Sequence, residues 1–158
     1  MHLQKHLQEE LYTLMCDLYS GYDKFQFAVD SRDITAIRTP IGLMRMCTLP
    51  QGATTSVAHM MNAMNKVLRD FVSKVTMPFL DDVLIKGCSK DKKDEKLMPN
   101  GCRKFVSDHI YDCERILSRL EELRLTVSGQ KSVFGVLEIL VVNVLVHTWP
   151  IWKETVTS

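Results

Sequence analysis

The amino-acid sequence predicts an α+β fold, an antiparallel sheet backed by two helices. Three observations predict it. Short strand-like runs occupy the first fifty residues. A compact apolar strand pair, Phe79-Leu80-Asp81-Asp82-Val83-Leu84-Ile85, carries two acidic residues at its centre. Two longer segments, one before that pair and one after it, repeat apolar residues at helical spacing.

In chain order, Thr13 to Leu18 and Lys24 to Val29 favour strands. The second run alternates Phe25, Phe27 and Val29 against Lys24, Gln26 and Ala28, and Ser20-Gly21 separates the two. Ser31-Arg32-Asp33 reads as a turn, followed by an extended piece to Thr39, a second turn at Pro40 and Gly42, and an extended run from Leu43 to Leu49. Together these predict an antiparallel meander, ended by Pro50-Gln51-Gly52. Thr54 to Val72 then carries apolar residues at 57, 61, 64, 68 and 71, the spacing of one helix face, with Thr54, Thr55 or Ser56 available as a cap. The stripe Met60, Met61 and Met64 reads as core packing and implies no cofactor.

After Thr76-Met77-Pro78 comes the acidic strand pair, with Asp81 and Asp82 where a tight hairpin turns. Lys86 to Lys104 mixes Lys90, Lys92, Lys93 and Lys96 with Asp91, Asp94 and Glu95, the composition of a solvated loop. A second helix spans about Phe105 to Leu123, with Ile110, Cys113, Leu117 and Leu120 on one face and Ile116 and Leu123 widening it. Short strands at Leu125 to Ser128 and Ser132 to Val136 flank Gly129, and a final apolar strand runs from Leu137 to Val146.

With 158 residues, 46% of them apolar and 25% charged, the chain suits one globular domain rather than a disordered or fibrous one. A net charge of +1 gives no global sign of a nucleic-acid partner. Cys16, Cys47, Cys88, Cys102 and Cys113 form no CxxC pair and no zinc-type spacing with histidine, so they read as reduced structural thiols of an intracellular protein, cytoplasmic or nuclear. Met1 to Glu10 is polar and carries no secretory pattern. The longest apolar stretch, Ile139 to Val142 and Val144 to Val146, is broken by Asn143 and falls short of the roughly 20 residues that cross a bilayer, so no membrane partner is expected. His2, His6, His59 and His109 show no catalytic partner pattern, and no Ser/His/Asp hydrolase arrangement is present.

Two acidic sites stand on strand ends among apolar neighbours: Asp17 in Cys16-Asp17-Leu18, and Asp81-Asp82. Carboxylates brought together from separate strands repel one another unless cations lie between them, and Mg²⁺ with oxygen ligands is the usual solution. Strand-end aspartates are more commonly turn formers and N-caps, so this pattern alone leaves both readings open.

Four stretches in order, Asp17-Leu18-Tyr19-Ser20-Gly21-Tyr22, Thr35-Ala36-Ile37-Arg38-Thr39-Pro40-Ile41-Gly42, Leu49-Pro50-Gln51-Gly52-Ala53 and Phe79-Leu80-Asp81-Asp82, resemble reverse transcriptases of gypsy-type LTR retrotransposons. Arg103 to Leu125 and Ser128-Gly129-Gln130-Lys131-Ser132 look like the segment that follows the catalytic hairpin there, apparently of the fungal kind. The resemblance runs from about Leu11 to Val146 and implies a polymerase palm over residues 1–147, with a tail at 148–158.

That resemblance implies an RNA-directed DNA polymerase in which a primer 3′-hydroxyl attacks the α-phosphate of a deoxynucleoside triphosphate. The implied partners are an RNA or DNA template-primer and deoxynucleoside triphosphates. Asp17 and Asp81 match the metal-binding aspartates, with the Leu18 carbonyl completing a shell and Asp82 supporting it. Mg²⁺ is the implied ion and Mn²⁺ the alternative. Tyr22 matches the aromatic gate under the sugar, Gln51 and Gly52 the loop that contacts the nucleotide, and Leu80 the position beside the primer end, while Phe79 stands where Tyr is more frequent.

The chain departs from the family in three places. Only 16 residues precede Asp17, where a fingers segment is usual; Val141-Val142-Asn143-Val144 replaces a Gly-His pair; and Thr148-Trp149-Pro150-Ile151-Trp152 resembles no connection or RNase H segment. The expectation is a truncated retroelement copy that associates with fuller retroelement proteins, the alternative being an inactive palm that binds nucleic acid or protein. Apolar surface left uncovered would favour self-association.

Overall fold

A computed structural model describes residues 13–88, 93–136, 138–141 and 144–147. The strands are β1 (Thr13–Leu18), β2 (Ile37–Thr39), β3 (Gly42–Met44), β4 (Thr76–Phe79), β5 (Asp82–Lys86), β6 (Val127–Val136), β7 (Glu138–Val141) and β8 (Val144–His147). The two α-helices are α1 (Thr54–Val67) and α2 (Lys104–Glu122). The principal sheet has the order β4-β5-β1-β6, and the pairings β4–β5, β5–β1 and β1–β6 are all antiparallel. The α+β prediction therefore holds, with β1 as a central strand.

Side chains alternate across a strand. On β1, Leu14, Cys16 and Leu18 enter the core, and the β5 residues Val83 and Ile85 join them. Both helices cover this face: α1 with Met60 and Met64, followed by Leu68, and α2 with Cys113, Ile116 and Leu120. Each fully buried Met, Leu or Ile contributes about 1.5–3 kcal/mol relative to exposure. The Arg119 Nε of α2 donates to the Val67 carbonyl at 3.3 Å, giving a carbonyl at the end of α1 a partner from the other helix. Burial pushes the Cys16 thiol up to about 12 and the Cys113 thiol up to about 11, with Cys113 and Asp112 respectively adding to the rise, as befits inert core thiols. No helix among the described residues is long and apolar enough to cross a membrane.

Several elements differ from the sequence prediction. Lys24 to Val29 is not a strand: Gly21–Lys24 and Val29–Thr35 are 3-10 helices, and only a single bridge, Gln26 to Thr48, lies between them. The meander does not form, because β2 and β3 make their own two-stranded sheet. The buried face of α1 is Ser56, Met60 and Met64, while Val57 turns outward, and the N-cap Ala53 offers no side-chain bond in place of the expected Thr or Ser cap. Ile110 of α2 and Leu123, the residue that caps its C-terminus, are exposed. The two strands expected around Gly129 are one bulged strand, β6, and the expected final strand is the hairpin β7–β8. Residues 1–12, 89–92 and the 148–158 tail lie outside the described residues, as do Leu137, Val142 and Asn143.

Candidate functional site

Because Leu14, Cys16 and Leu18 face the helices, Asp17 projects from the opposite face of the sheet. The β1–β5 register sets Asp17 directly across from Asp82, and Asp82 is also paired with Phe79 across the hairpin. The hairpin turns through Leu80 and Asp81, with Leu80 at φ 58. Its tip is tied down at two points. The Leu80 N–H donates to the Met61 sulfur at 3.2 Å, and the Asp81 carbonyl accepts the Leu18 N–H at 2.9 Å. Asp17, Asp81 and Asp82 are thus brought together by backbone pairing.

On its other edge Asp17 meets β6. Between Met15 and Asp17 the partner strand runs from Val133 to Ser128, so β6 bulges. The Ser132 hydroxyl closes the bulge: it accepts the Asp17 N–H at 3.3 Å and donates to the Ser128 carbonyl at 2.7 Å. The Asp17 Oδ1 is buried without a hydrogen bond, and the Lys131 ammonium lies 3.6 Å from it.

The electrostatics are those of crowded acids. Burial first, then Asp81 and Asp17, raise the Asp82 carboxyl from 3.8 to about 6, and Lys131 partly opposes the rise. Tyr22 is raised by burial and secondarily by Asp81. A cavity of about 230 Å³ opens beside the carboxylates, lined among others by Leu18, Tyr22, Gln51, Asp81 and Lys131. Gly52, at φ +94 in the turn before α1, follows Gln51, but neither Gly52 nor Leu80 lines this cavity. Gly21 allows the close approach: a Cβ there would lie 2.9 Å from Met60 Cε and 3.5 Å from Asp81 Cβ.

The donor set suits a hard divalent cation, since a buried, unsatisfied Asp17 oxygen and mutually repelling acids are what such an ion relieves. Asp17, Asp81 and Asp82 are the side chains that could hold it, although among the described residues no three His, Cys, Asp or Glu side chains converge on one metal position. Sequence reasoning singled out Asp17, Leu18, Tyr22, Gln51, Asp81 and Asp82, which the fold gathers. It missed Gly21, Lys131 and Ser132. Lys131 and Ser132 lie in a segment already notable for its resemblance, but nothing local in the sequence indicates that β6 folds back on Asp17.

Residues 1–156 match the family model described as reverse transcriptase (RNA-dependent DNA polymerase), and the chain belongs to that family. Within it, the gypsy-type resemblance has support from the retrovirus-related Pol polyprotein from transposon gypsy of Drosophila melanogaster, 27% identical over 118 residues. That match covers 75% of this chain and 10% of the relative, and it lends no support to a fungal source. Among solved structures, the foamy viral protease-reverse transcriptase dRH in complex with double-stranded DNA superposes with a TM-score of 0.71 at 20% identity, over 93% of this chain and 23% of that one. The foamy viral protease-reverse transcriptase in complex with an RNA/DNA hybrid gives 0.68 at 20% identity, over 90% and 18%. These two likenesses show the fold.

Proposed function

We propose that residues 1–147 form a polymerase palm that transfers deoxynucleotides to a primer 3′-hydroxyl. The observation that carries this reading is the register that sets Asp17 opposite Asp82 with Asp81 at the adjoining turn, around a buried Asp17 oxygen that has no hydrogen bond. Asp17 and Asp81 would hold divalent cations, Mg²⁺ or Mn²⁺, with the Leu18 carbonyl completing the shell. When bound, the metal supplies charge neutralisation for the attacking and leaving oxygens. Asp82 strengthens the negative field that draws the cation in. Tyr22, on the cavity wall, supports the sugar and excludes a 2′-hydroxyl; Gln51 and Gly52 contact the nucleotide; Leu80 lies beside the primer end.

Template and primer lie across the sheet face that carries the aspartates. The complexes of the foamy viral enzymes with double-stranded DNA and an RNA/DNA hybrid support that class of partner. The second reading, an inactive palm that binds nucleic acid or protein, including fuller retroelement proteins, is favoured by the Lys131 ammonium 3.6 Å from Asp17 Oδ1, where a cation would otherwise sit. Primer extension on a poly-rA template with Mg²⁺ separates the two. Incorporation that is lost in Asp81→Asn/Asp82→Asn supports the first, and a folded chain without incorporation supports the second.

A further inference from the structure

We infer that Lys131 is a built-in counter-cation of the carboxylate cluster, held against Asp17 by the Ser132 clasp, and that a divalent cation must displace it to bind. This rests on the metal-binding reading of the three aspartates.

A buried carboxylate oxygen without a hydrogen bond is costly unless a charge offsets it. Among the described residues, the one cation paired with Asp17 is Lys131. Its placement is a product of the fold. The strand β6 advances five positions, from Ser128 to Val133, where β1 advances two, from Asp17 to Met15, and this bulge carries the lysine toward the carboxylates. The hydroxyl that closes the bulge bonds the Asp17 backbone itself, so one residue, Ser132, fixes both the acid and its counter-charge.

Lys131 also lines the cavity with Tyr22, Gln51 and Asp81. Its side chain is 71% exposed, so the pairing is loose enough to be given up. Without metal, the ammonium tempers the repulsion among Asp17, Asp81 and Asp82. When a divalent cation arrives, the two compete for the same oxygen, and the lysine swings into solvent.

The test is Mn²⁺ binding to the purified full chain, followed by electron paramagnetic resonance without nucleotide or template. Lys131→Met should bind Mn²⁺ roughly three- to tenfold more tightly than wild type, the range for loss of one close, partly screened positive charge. Lys131→Arg should stay within about twofold, and Lys66→Met, which removes an exposed charge from α1, should change nothing. Ser132→Ala should move affinity in the same direction as Lys131→Met. Equal affinity in Lys131→Met and wild type, with binding still abolished by Asp17→Asn, overturns the counter-cation while leaving the metal site intact. Absence of binding in the wild-type chain overturns both readings. A double-mutant cycle of Lys131→Met and Asp17→Asn, read as unfolding stability in chelator, gives the pairing independently: coupling is expected, and strict additivity contradicts it.

Discussion

Replacing Asp82 by Asn removes one charge from the carboxylate cluster at almost constant volume, and its effect on stability should depend on pH. The folded-state value of about 6 lies above the ordinary 3.8, because burial and the neighbouring Asp81 and Asp17 disfavour the ionised form. Ionised Asp82 therefore destabilises the fold at pH values above about 6, and this cost disappears as the carboxyl becomes protonated on the way down toward about 4. At 1.36 kcal/mol per pH unit the rise corresponds to at most about 3 kcal/mol. Asp82 is only half-buried, so screening brings this to about 1 kcal/mol. Urea unfolding in chelator should find Asp82→Asn more stable than wild type by about 1 kcal/mol near pH 8, with the difference vanishing near pH 4. A gain of equal size at both pH values, or a loss near pH 8, would refute the crowded-acid account.

Three further outcomes follow from packing. Gly21→Ala pushes a methyl group into Met60 Cε, and although that sulfur-linked methyl is flexible it is fully buried, so a loss of about 1–2 kcal/mol is expected in urea unfolding. Met64→Ala empties part of the layer between α1 and the sheet and should cost about 2–4 kcal/mol; a loss under about 1 kcal/mol would mean that α1 does not pack as described. Val29, Ile34, Ile37, Ile41 and Leu43 are all exposed within one segment, so the purified chain should self-associate in sizing chromatography, and Ile41→Asp/Leu43→Asp should shift it toward monomer. A monodisperse wild-type monomer contradicts that expectation.

Much of the site could be read from the sequence because it depends on local rules. The strand pair around Asp81 and Asp82 is short, apolar and sharply turned, so the hairpin and its acidic tip were legible without the fold. The strand before Asp17 was legible for the same reason. What failed was long-range. Phe25 and Phe27 alternate as a strand should, yet the backbone there makes scattered bonds, among them Phe27 to Cys47 and Leu49 to Phe25, next to a 3-10 helix. In α1 the methionines at 60, 61 and 64 fit two helix faces almost equally, and contact with the sheet selects 56, 60 and 64 over 57 and 61. The bulge that delivers Lys131 and Ser132 to Asp17 depends on strands more than a hundred residues apart meeting in a particular register, which no local pattern encodes.

The central claim is that Asp17 on β1 and Asp81 at the β4–β5 turn act as one catalytic unit. Primer extension with Mg²⁺ on a poly-rA template tests it most directly, comparing wild type with Asp17→Asn, Asp81→Asn and the remote, exposed Asp70→Asn. Each of the first two substitutions alone should reduce incorporation by at least about a hundredfold, with the folded state retained, while Asp70→Asn leaves it unchanged. Incorporation that survives in either single variant, or that falls equally with Asp70→Asn, would contradict the account.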